Sequence, residues 1–286
     1  MSAAVSERGA VVGRVAADPM GFAGLLIVAL MVFTALFATW LAPYPPAQIA
    51  IDARLEPPTW AHLMGTDQLG RDVFSRAIVG TRIAMEVALF SVAVSIAGGA
   101  VLGLLAGYGP RRLDGVLLLV FDAVRSFPTI MLGLALVTVL GPGFETIILV
   151  VVLTFIPGYA RIVRTQTMSL KHTDFVLAER TLGAGMARVL AVHVLPNVVG
   201  PLLILASMDI PVVITVESGM SFLGLGVRPP TPSWGTILND GYAYIRNTPW
   251  VILGGGLPII IGTIGFTLLG EALRDAFDPK LQGRDG

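Results

Sequence analysis

The chain has 286 residues, of which 55% are hydrophobic and 13% charged, and its mean hydropathy is +0.80. Soluble domains carry about 25% charged residues, so this composition excludes a soluble globular enzyme, and its apolar content excludes a disordered chain. The net charge of zero offers no basic field for nucleic acid, and the absence of cysteine excludes disulfides, thiolate catalysis and iron–sulfur clusters.

Six apolar segments predict membrane-spanning helices, since a helix needs about 20 apolar residues to cross the hydrocarbon layer. The runs are continuous, without the alternation of a membrane barrel, and backbone groups in lipid must be bonded within each segment. We therefore predict an all-α, six-span membrane protein. The predicted spans are residues 20–42, 84–108, 116–140, 144–160, 198–216 and 250–269. The first has no small-residue cleavage site and is too long for a signal peptide, so we expect it to remain as a span.

The loops predict the orientation. With the N-terminus in the cytoplasm, the inner segments hold twelve Lys and Arg residues and the outer segments six, although the first outer loop alone holds four. This bias predicts that both termini are cytoplasmic. The predicted organisation is an inner segment 1–19, the first span, an outer loop 43–83, a core 84–279 with an inner loop 161–197 and an outer loop 221–249, and an inner tail 280–286.

Few side chains in the predicted spans are chemically distinctive. In the second span, Gly99, Gly103 and Gly107 are spaced four apart, which predicts close packing against a neighbouring helix. Asp122 and Arg125 lie three residues apart and are expected to pair.

Two acidic residues are candidates for lining a solute pathway. Asp209 lies deep in a span, where a carboxylate must face an aqueous path or a buried hydrogen-bond partner, and both readings remain open. Glu217, near the outer end of the same span, is predicted to contact either solute or interfacial water.

The inner loop contains a predicted helix–turn–helix, which we call the elbow. Thr173 or Asp174 is expected to cap its first helix, Gly183 suits the left-handed position that ends it, and a second amphipathic helix is predicted over 186–194, ending before Pro196. The second helix is too apolar for a solvated connector, which favours docking into a groove on a partner protein. Its apolar residues are Val189, Leu190, Val192, Val194 and Leu195.

The elbow resembles the cytoplasmic motif of ABC-importer permeases, written E-A-A-x3-G-x9-I-x-L-P. The matching residues are Ala178, Gly183, Leu195 and Pro196, and the departures are Leu177, Glu179 and His193. Residues 63–76, 221–235 and 269–279 resemble further signatures of the dipeptide, oligopeptide and nickel branch. The likeness extends from residue 20 to 279, and the short first outer loop is typical of the second, C-type permease of the pair.

This resemblance implies a type I ABC-importer permease fold in a prokaryotic inner membrane. It implies a complex with a homologous permease, two ATP-binding subunits and an external solute-binding protein, and transport of peptides or related solutes. It assigns contact with the ATPases to the elbow. The implied coupling residues are Ala178, Glu179, Arg180, Thr181, Gly183, Ala184, Leu195 and Pro196.

The residues themselves exclude ATP hydrolysis by a P-loop, because neither lysine, Lys171 or Lys280, follows a glycine. We therefore expect the chain to be no enzyme and to carry no cofactor, with ATP and Mg²⁺ held by partner subunits. The three histidines have no metal-ligand spacing. The alternatives are an ion-coupled secondary transporter and an intramembrane enzyme. Sparse charge and no visible repeat count against the first, and the second lacks a nucleophile–base pair. Dipeptides, longer peptides, nickel chelates and haem-like cargo remain open as solutes.

Overall fold

The computed structural model of the protein describes residues 13–277, and within that range every regular element is a helix. The helices are α1 (Pro19–Leu41), α2 (Val73–Tyr108), α3 (Arg111–Arg125), α4 (Thr129–Leu140), α5 (Phe144–Leu170), α6 (Asp174–Thr181), α7 (Met186–Arg188), α8 (Leu195–Phe222), α9 (Trp234–Tyr242) and α10 (Trp250–Phe277). Of these, α1, α2, α5, α8 and α10 are long and apolar enough to cross a membrane by themselves. The all-α prediction is confirmed.

The third predicted span is broken. Residues 116–140 were expected to form one straight helix, but α3 and α4 meet at 90°. Pro128 explains the break, because it has no N–H to donate and its ring disfavours a helical conformation at Phe127. The predicted count of six crossings therefore holds when α3 and α4 are counted together.

Four spans, α2, α5, α8 and α10, are longer than predicted, and α2 and α5 extend furthest into the predicted loops. Helix α2 starts at Val73, where the Asp72 carboxylate accepts a bond from the backbone N–H of Ser75 at 2.7 Å. Its 36 residues extend over about 54 Å, against a hydrocarbon core of about 30 Å, so the helix projects beyond the lipid. Helix α5 likewise continues to Leu170. Parts of the predicted loops 43–83 and 161–197 are therefore helical.

The predicted glycine stripe packs α2 closely on α5. A Cβ atom on Gly103 would lie 2.5 Å from the carbonyl oxygen of Ala160, and one on Gly107 would lie 2.7 Å from the Thr167 Cβ. No larger side chain fits at these positions without moving a backbone. The packing function predicted for the stripe is thus confirmed.

The two outer loops are joined by buried ion pairs, which we call the outer cluster: Asp67, Arg71, Arg76 and Asp240. The Asp67 carboxylate is fully buried and accepts bonds from the Arg71 Nε at 2.6 Å and from Arg76. The Asp240 carboxylate, on α9, accepts from Arg71 at 2.9 Å and from Arg76 at 2.8 Å. Two of the four arginines in the first outer loop are therefore neutralised within the protein.

Trp234 fixes the start of α9 against α2. Its side chain is buried, and the indole N–H donates to the Ala77 carbonyl oxygen at 3.0 Å. The Ser233 hydroxyl accepts from the Thr236 backbone N–H and completes a capping box. The short outer helix α9 is therefore held by a cap, a buried aromatic residue and the outer cluster.

Candidate coupling and translocation sites

The elbow consists of α6, a glycine turn, α7 and the residues that lead into α8. Thr173 occupies the N-cap position of α6, but its hydroxyl donates back to the Leu170 carbonyl at 2.6 Å, so the predicted side-chain cap is absent. Gly183 has φ +88°, which confirms the predicted left-handed position. A Cβ at Gly183 would meet nothing within 4 Å, so the backbone angle alone requires glycine there.

The second limb of the elbow differs from the prediction. The helix was expected to end before Pro196, but residues 189–194 form a π-helical segment that passes directly into α8. Pro196 lies at the start of α8, in the first turn, where a missing N–H is tolerated. The second limb of the elbow and the span that follows it are therefore one continuous helix over Met186–Phe222.

The two limbs of the elbow are α6 and the helix that begins at Met186. They contact each other through side chains that include two departures from the family motif, Glu179 and His193. The Glu179 carboxylate lies 3.3 Å from the His193 Nε2 and 3.8 Å from the Arg188 Nε. The Phe175 and His193 rings are 5.9 Å apart. Val189, on the second limb, is buried. The two limbs are therefore in contact through these side chains.

The tip of the elbow is exposed and apolar. Leu182 has 85% of its surface exposed, and Met186, beyond the turn, has 41%. The structure brings together at this tip most of the predicted coupling residues: Ala178, Glu179, Arg180, Thr181, Gly183 and Ala184. Leu195 and Pro196 lie apart from them at the start of α8. A coupling role for all eight residues stays a prediction.

A second site is the cavity of about 560 Å³ at the break between α3 and α4, which we call the break cavity. Asp209 of α8 lines it and lies near the buried Tyr159 hydroxyl, which forms no hydrogen bond with the part of the chain that the structure describes. The Asp209 side chain thus faces both a cavity and a buried polar group, which correspond to the two alternatives predicted for it. Its pathway role stays a prediction. Other lining residues are Arg125, Phe127, Thr129, Thr154 and Arg161.

The ion pairs around the break cavity correct one prediction. Asp122 pairs with Arg161 of α5 and not with Arg125. The reason is that α3 lies alongside α5 over its length, so that Asp122 faces Arg161. A second bridge joins the same two helices, with the Arg164 Nη2 donating to the Asp114 Oδ2 at 2.7 Å.

Glu217 is fully buried and does not line an open cavity in this conformation. Its carboxylate accepts a bond from the Ser221 hydroxyl at 2.8 Å and one from the Ser218 hydroxyl at 3.2 Å. This surrounding explains how a carboxylate is tolerated inside a span. Its proposed contact with solute stays a prediction that this burial does not favour.

Sequence reasoning missed Asp240 and the position of Arg161. Asp240 is 169 residues from Arg71, and no local pattern relates two such distant positions. The position of Arg161 could have been anticipated from the sequence, because a basic residue at the inner end of an apolar span must reach water or a carboxylate.

Comparisons with known proteins identify the architecture. Residues 99–283 match the family described as binding-protein-dependent transport system inner membrane component, and residues 10–58 match the N-terminal TM domain of oligopeptide transport permease C. An inward-facing methionine ABC transporter has a similar fold, with a TM-score of 0.51, 19% identity, and coverage of 68% of this chain and 94% of that one.

Curated relatives cover nearly the full length. The di/tripeptide transport system permease protein of Pseudomonas aeruginosa is 41% identical, covering 91% of this chain and 88% of its own. The nickel transport system permease protein of Escherichia coli is 40% identical (90% and 93%), and the glutathione transport system permease protein of Pectobacterium atrosepticum is 39% identical (90% and 86%). None of these supports an ion-coupled transporter.

Proposed function

The chain belongs to the family of binding-protein-dependent transport system inner membrane components, and from this premise we propose that it imports di- and tripeptides. As an ABC-importer permease it is a multi-pass protein of the bacterial inner membrane and not an enzyme. The observation that supports the peptide class is its 41% identity to a permease named for di- and tripeptides. Nickel and glutathione are the named solutes of other relatives, so the experiment must include them.

The working complex comprises this permease, a homologous permease, two ATP-binding subunits and an external solute-binding protein. ATP and Mg²⁺ are bound by the partner subunits, since this sequence has no Gly-Lys-Ser/Thr phosphate loop. The partner permease covers part of the apolar surface of α4, where Met131 and Val139 are exposed. The distribution of Lys and Arg supports cytoplasmic termini.

The elbow is the contact with an ATP-binding subunit. Its apolar tip, centred on Leu182, has the character of a helix end that inserts into a groove on a partner. The contacts of Glu179 with His193 and Arg188 keep the two limbs together when the tip is displaced. Because the second limb continues into α8, movement of the tip reaches the break cavity beside Asp209.

Replacing Leu182 by Asp tests the coupling proposal. We expect the variant to insert normally, because the side chain is 85% exposed, but to lose peptide uptake and solute-stimulated ATPase activity at least about tenfold. Leu182→Met is the matched control, because it keeps an apolar side chain at the tip and is expected to transport. Normal uptake by an inserted Leu182→Asp protein would overturn the assignment.

A second experiment tests the solute and the orientation. Uptake of labelled dialanine, nickel and glutathione by the reconstituted complex should be ATP-dependent and largest for the dipeptide. Since the chain has no cysteine, a single Leu182→Cys variant can be labelled specifically. Reaction with an impermeant maleimide only from the cytoplasmic side is expected, and reaction from the outer side would refute the topology.

A further inference from the structure

The break between α3 and α4 marks a place where water enters the membrane region. Backbone that leaves regular helical bonding at membrane depth is tolerated only where protein covers it or where it lines a water-filled cavity. Phe127, Pro128 and Thr129 all line the break cavity. Charged side chains line the same cavity beside this broken backbone, which is typical of a cavity that holds water.

Charges of both signs converge on this cavity from three different helices. Arg125 ends α3, Arg161 lies on α5, and Asp209 lies on α8. Arg161 is partly neutralised by Asp122. Within residues 13–277, neither Arg125 nor Asp209 forms an ion pair with another side chain, and the neighbour of Asp209 is the uncharged Tyr159 hydroxyl. The cavity thus presents one basic and one acidic side chain without a charged partner.

The start of α4 adds to the cationic side. Its N-cap is Pro128, which makes no side-chain cap bond, and Thr129 of its first turn lines the cavity. The first N–H groups of such a helix have no partner within the helix and favour an anion. This helix end adjoins Arg125 in the sequence, so both features favour a carboxylate at the same side of the cavity.

We infer that the break cavity transiently binds a zwitterionic solute, with the solute carboxylate at Arg125 and the start of α4 and its ammonium group at Asp209. This inference rests on the proposed function and specifies the chemistry of the same pathway. A free di- or tripeptide has this pair of opposite charges. The cavity volume of about 560 Å³ lies in the range of small-molecule sites, about 300–1,000 Å³.

The same cavity is poorly suited to a bare metal ion. Among the residues that the structure describes, no three His, Asp or Glu side chains lie close enough to hold one. Arg125 and Asp209 are both partly accessible, so the solute keeps part of its hydration and binds weakly. Weak binding is what a pathway requires, because a solute that is held tightly does not leave.

Thiol protection in the assembled complex, without the external binding protein, tests this inference directly. The cysteine-free chain allows a single Thr129→Cys in the cavity lining, with Trp60→Cys in the exposed first outer loop as the matched control. The reaction rate with a small maleimide is measured with dialanine and with its N-acetylated, C-amidated analogue, which has no charged ends.

We expect dialanine, at about ten times the concentration that half-occupies the site, to slow labelling at Thr129→Cys about tenfold, and the blocked analogue at the same concentration to leave it unchanged. Labelling at Trp60→Cys should respond to neither. Adding Arg125→Gln or Asp209→Asn should remove the protection in complexes that still contain the ATP-binding subunits.

Three results would overturn the inference: an unreactive Thr129→Cys, no protection by dialanine, or equal protection by the blocked analogue. ATP-dependent uptake of dialanine is measured in parallel on the same complexes. Uptake without charge-dependent protection would refute only the zwitterion site, whereas absence of any peptide uptake would refute the proposed function.

Discussion

The outer and inner ends of this chain solve different structural problems. At the outer end, the Asp67 carboxylate is fully buried between Arg71 and Arg76, and Asp240 closes the cluster from a distant helix. At the inner end, the elbow exposes Leu182, and its limbs meet through partly exposed polar contacts. The outer end is stabilised from within the chain, whereas the inner end leaves apolar surface exposed.

The largest expected effect on stability comes from Asp67→Ala. This change leaves two arginines, one of them 97% buried by its side chain, without their central carboxylate. Removing one partner of such a buried network costs about 3–5 kcal/mol. Thermal unfolding of the detergent-purified protein should show a large decrease in Tm. Asp52→Ala, an exposed acidic residue of the same loop, is the control and should leave Tm unchanged.

Two glycines with positive φ, one at each end of the molecule, allow the two ends to be compared directly. Gly70, in the outer loop, has φ +73°, and a Cβ there would overlap the Ala50 carbonyl oxygen, whereas Gly183 has φ +88° with open space around it. Gly183→Ala should therefore lower the free energy of unfolding only by the cost of a left-handed backbone conformation, about 1–2 kcal/mol. Gly70→Ala should lower it by more. If chemical denaturation shows the same loss of unfolding free energy for both variants, the outer loop moves to accommodate the new methyl group.

Trp234→Phe tests the anchor of α9 at the outer end. The indole N–H donates to the Ala77 carbonyl at 3.0 Å, and phenylalanine removes that donor and leaves unfilled volume at a buried site, which is expected to cost more than about 1 kcal/mol. Trp60→Phe is the matched control, because Trp60 is 98% exposed. If the two variants unfold at the same temperature, the indole bond contributes nothing to fixing α9.

The smallest expected effect on stability is at the elbow. Glu179→Gln weakens partly exposed contacts with His193 and Arg188, and such pairs contribute less than about 1 kcal/mol. Tm should remain within error of the parent protein, with Arg188→Gln as a second test of the same contacts. A loss as large as that of Asp67→Ala would remove the contrast between the two ends.

The sequence predicts the spans well because a helix in lipid must satisfy its own backbone, so apolar length alone identifies it. The close contact of Gly103 with α5 and the turn at Gly183 are likewise local consequences of residue type. The break at Pro128 was also visible in the sequence, but apolarity continues across it, and hydropathy does not register a change of helix direction.

The ion-pair partners of the charged side chains could not be predicted from local sequence patterns. Asp122 was expected to pair three residues away, yet its partner Arg161 is 39 residues distant, because α3 packs alongside α5. Asp240 contacts the first outer loop because α9 packs on α2, which no local pattern specifies. The resemblance to the family motif supplied the candidate coupling residues of the elbow, whereas the composition of the break cavity depends on tertiary structure.

The uninterrupted helix over Met186–Phe222 has a mechanical consequence. At about 1.5 Å per residue, Asp209 lies more than about 20 Å along the axis from Val194, without an intervening loop. A protein that displaced the tip at Leu182 would act on this helix through the turn at residues 183–185, and the helix would carry the displacement toward Asp209 without a further loop.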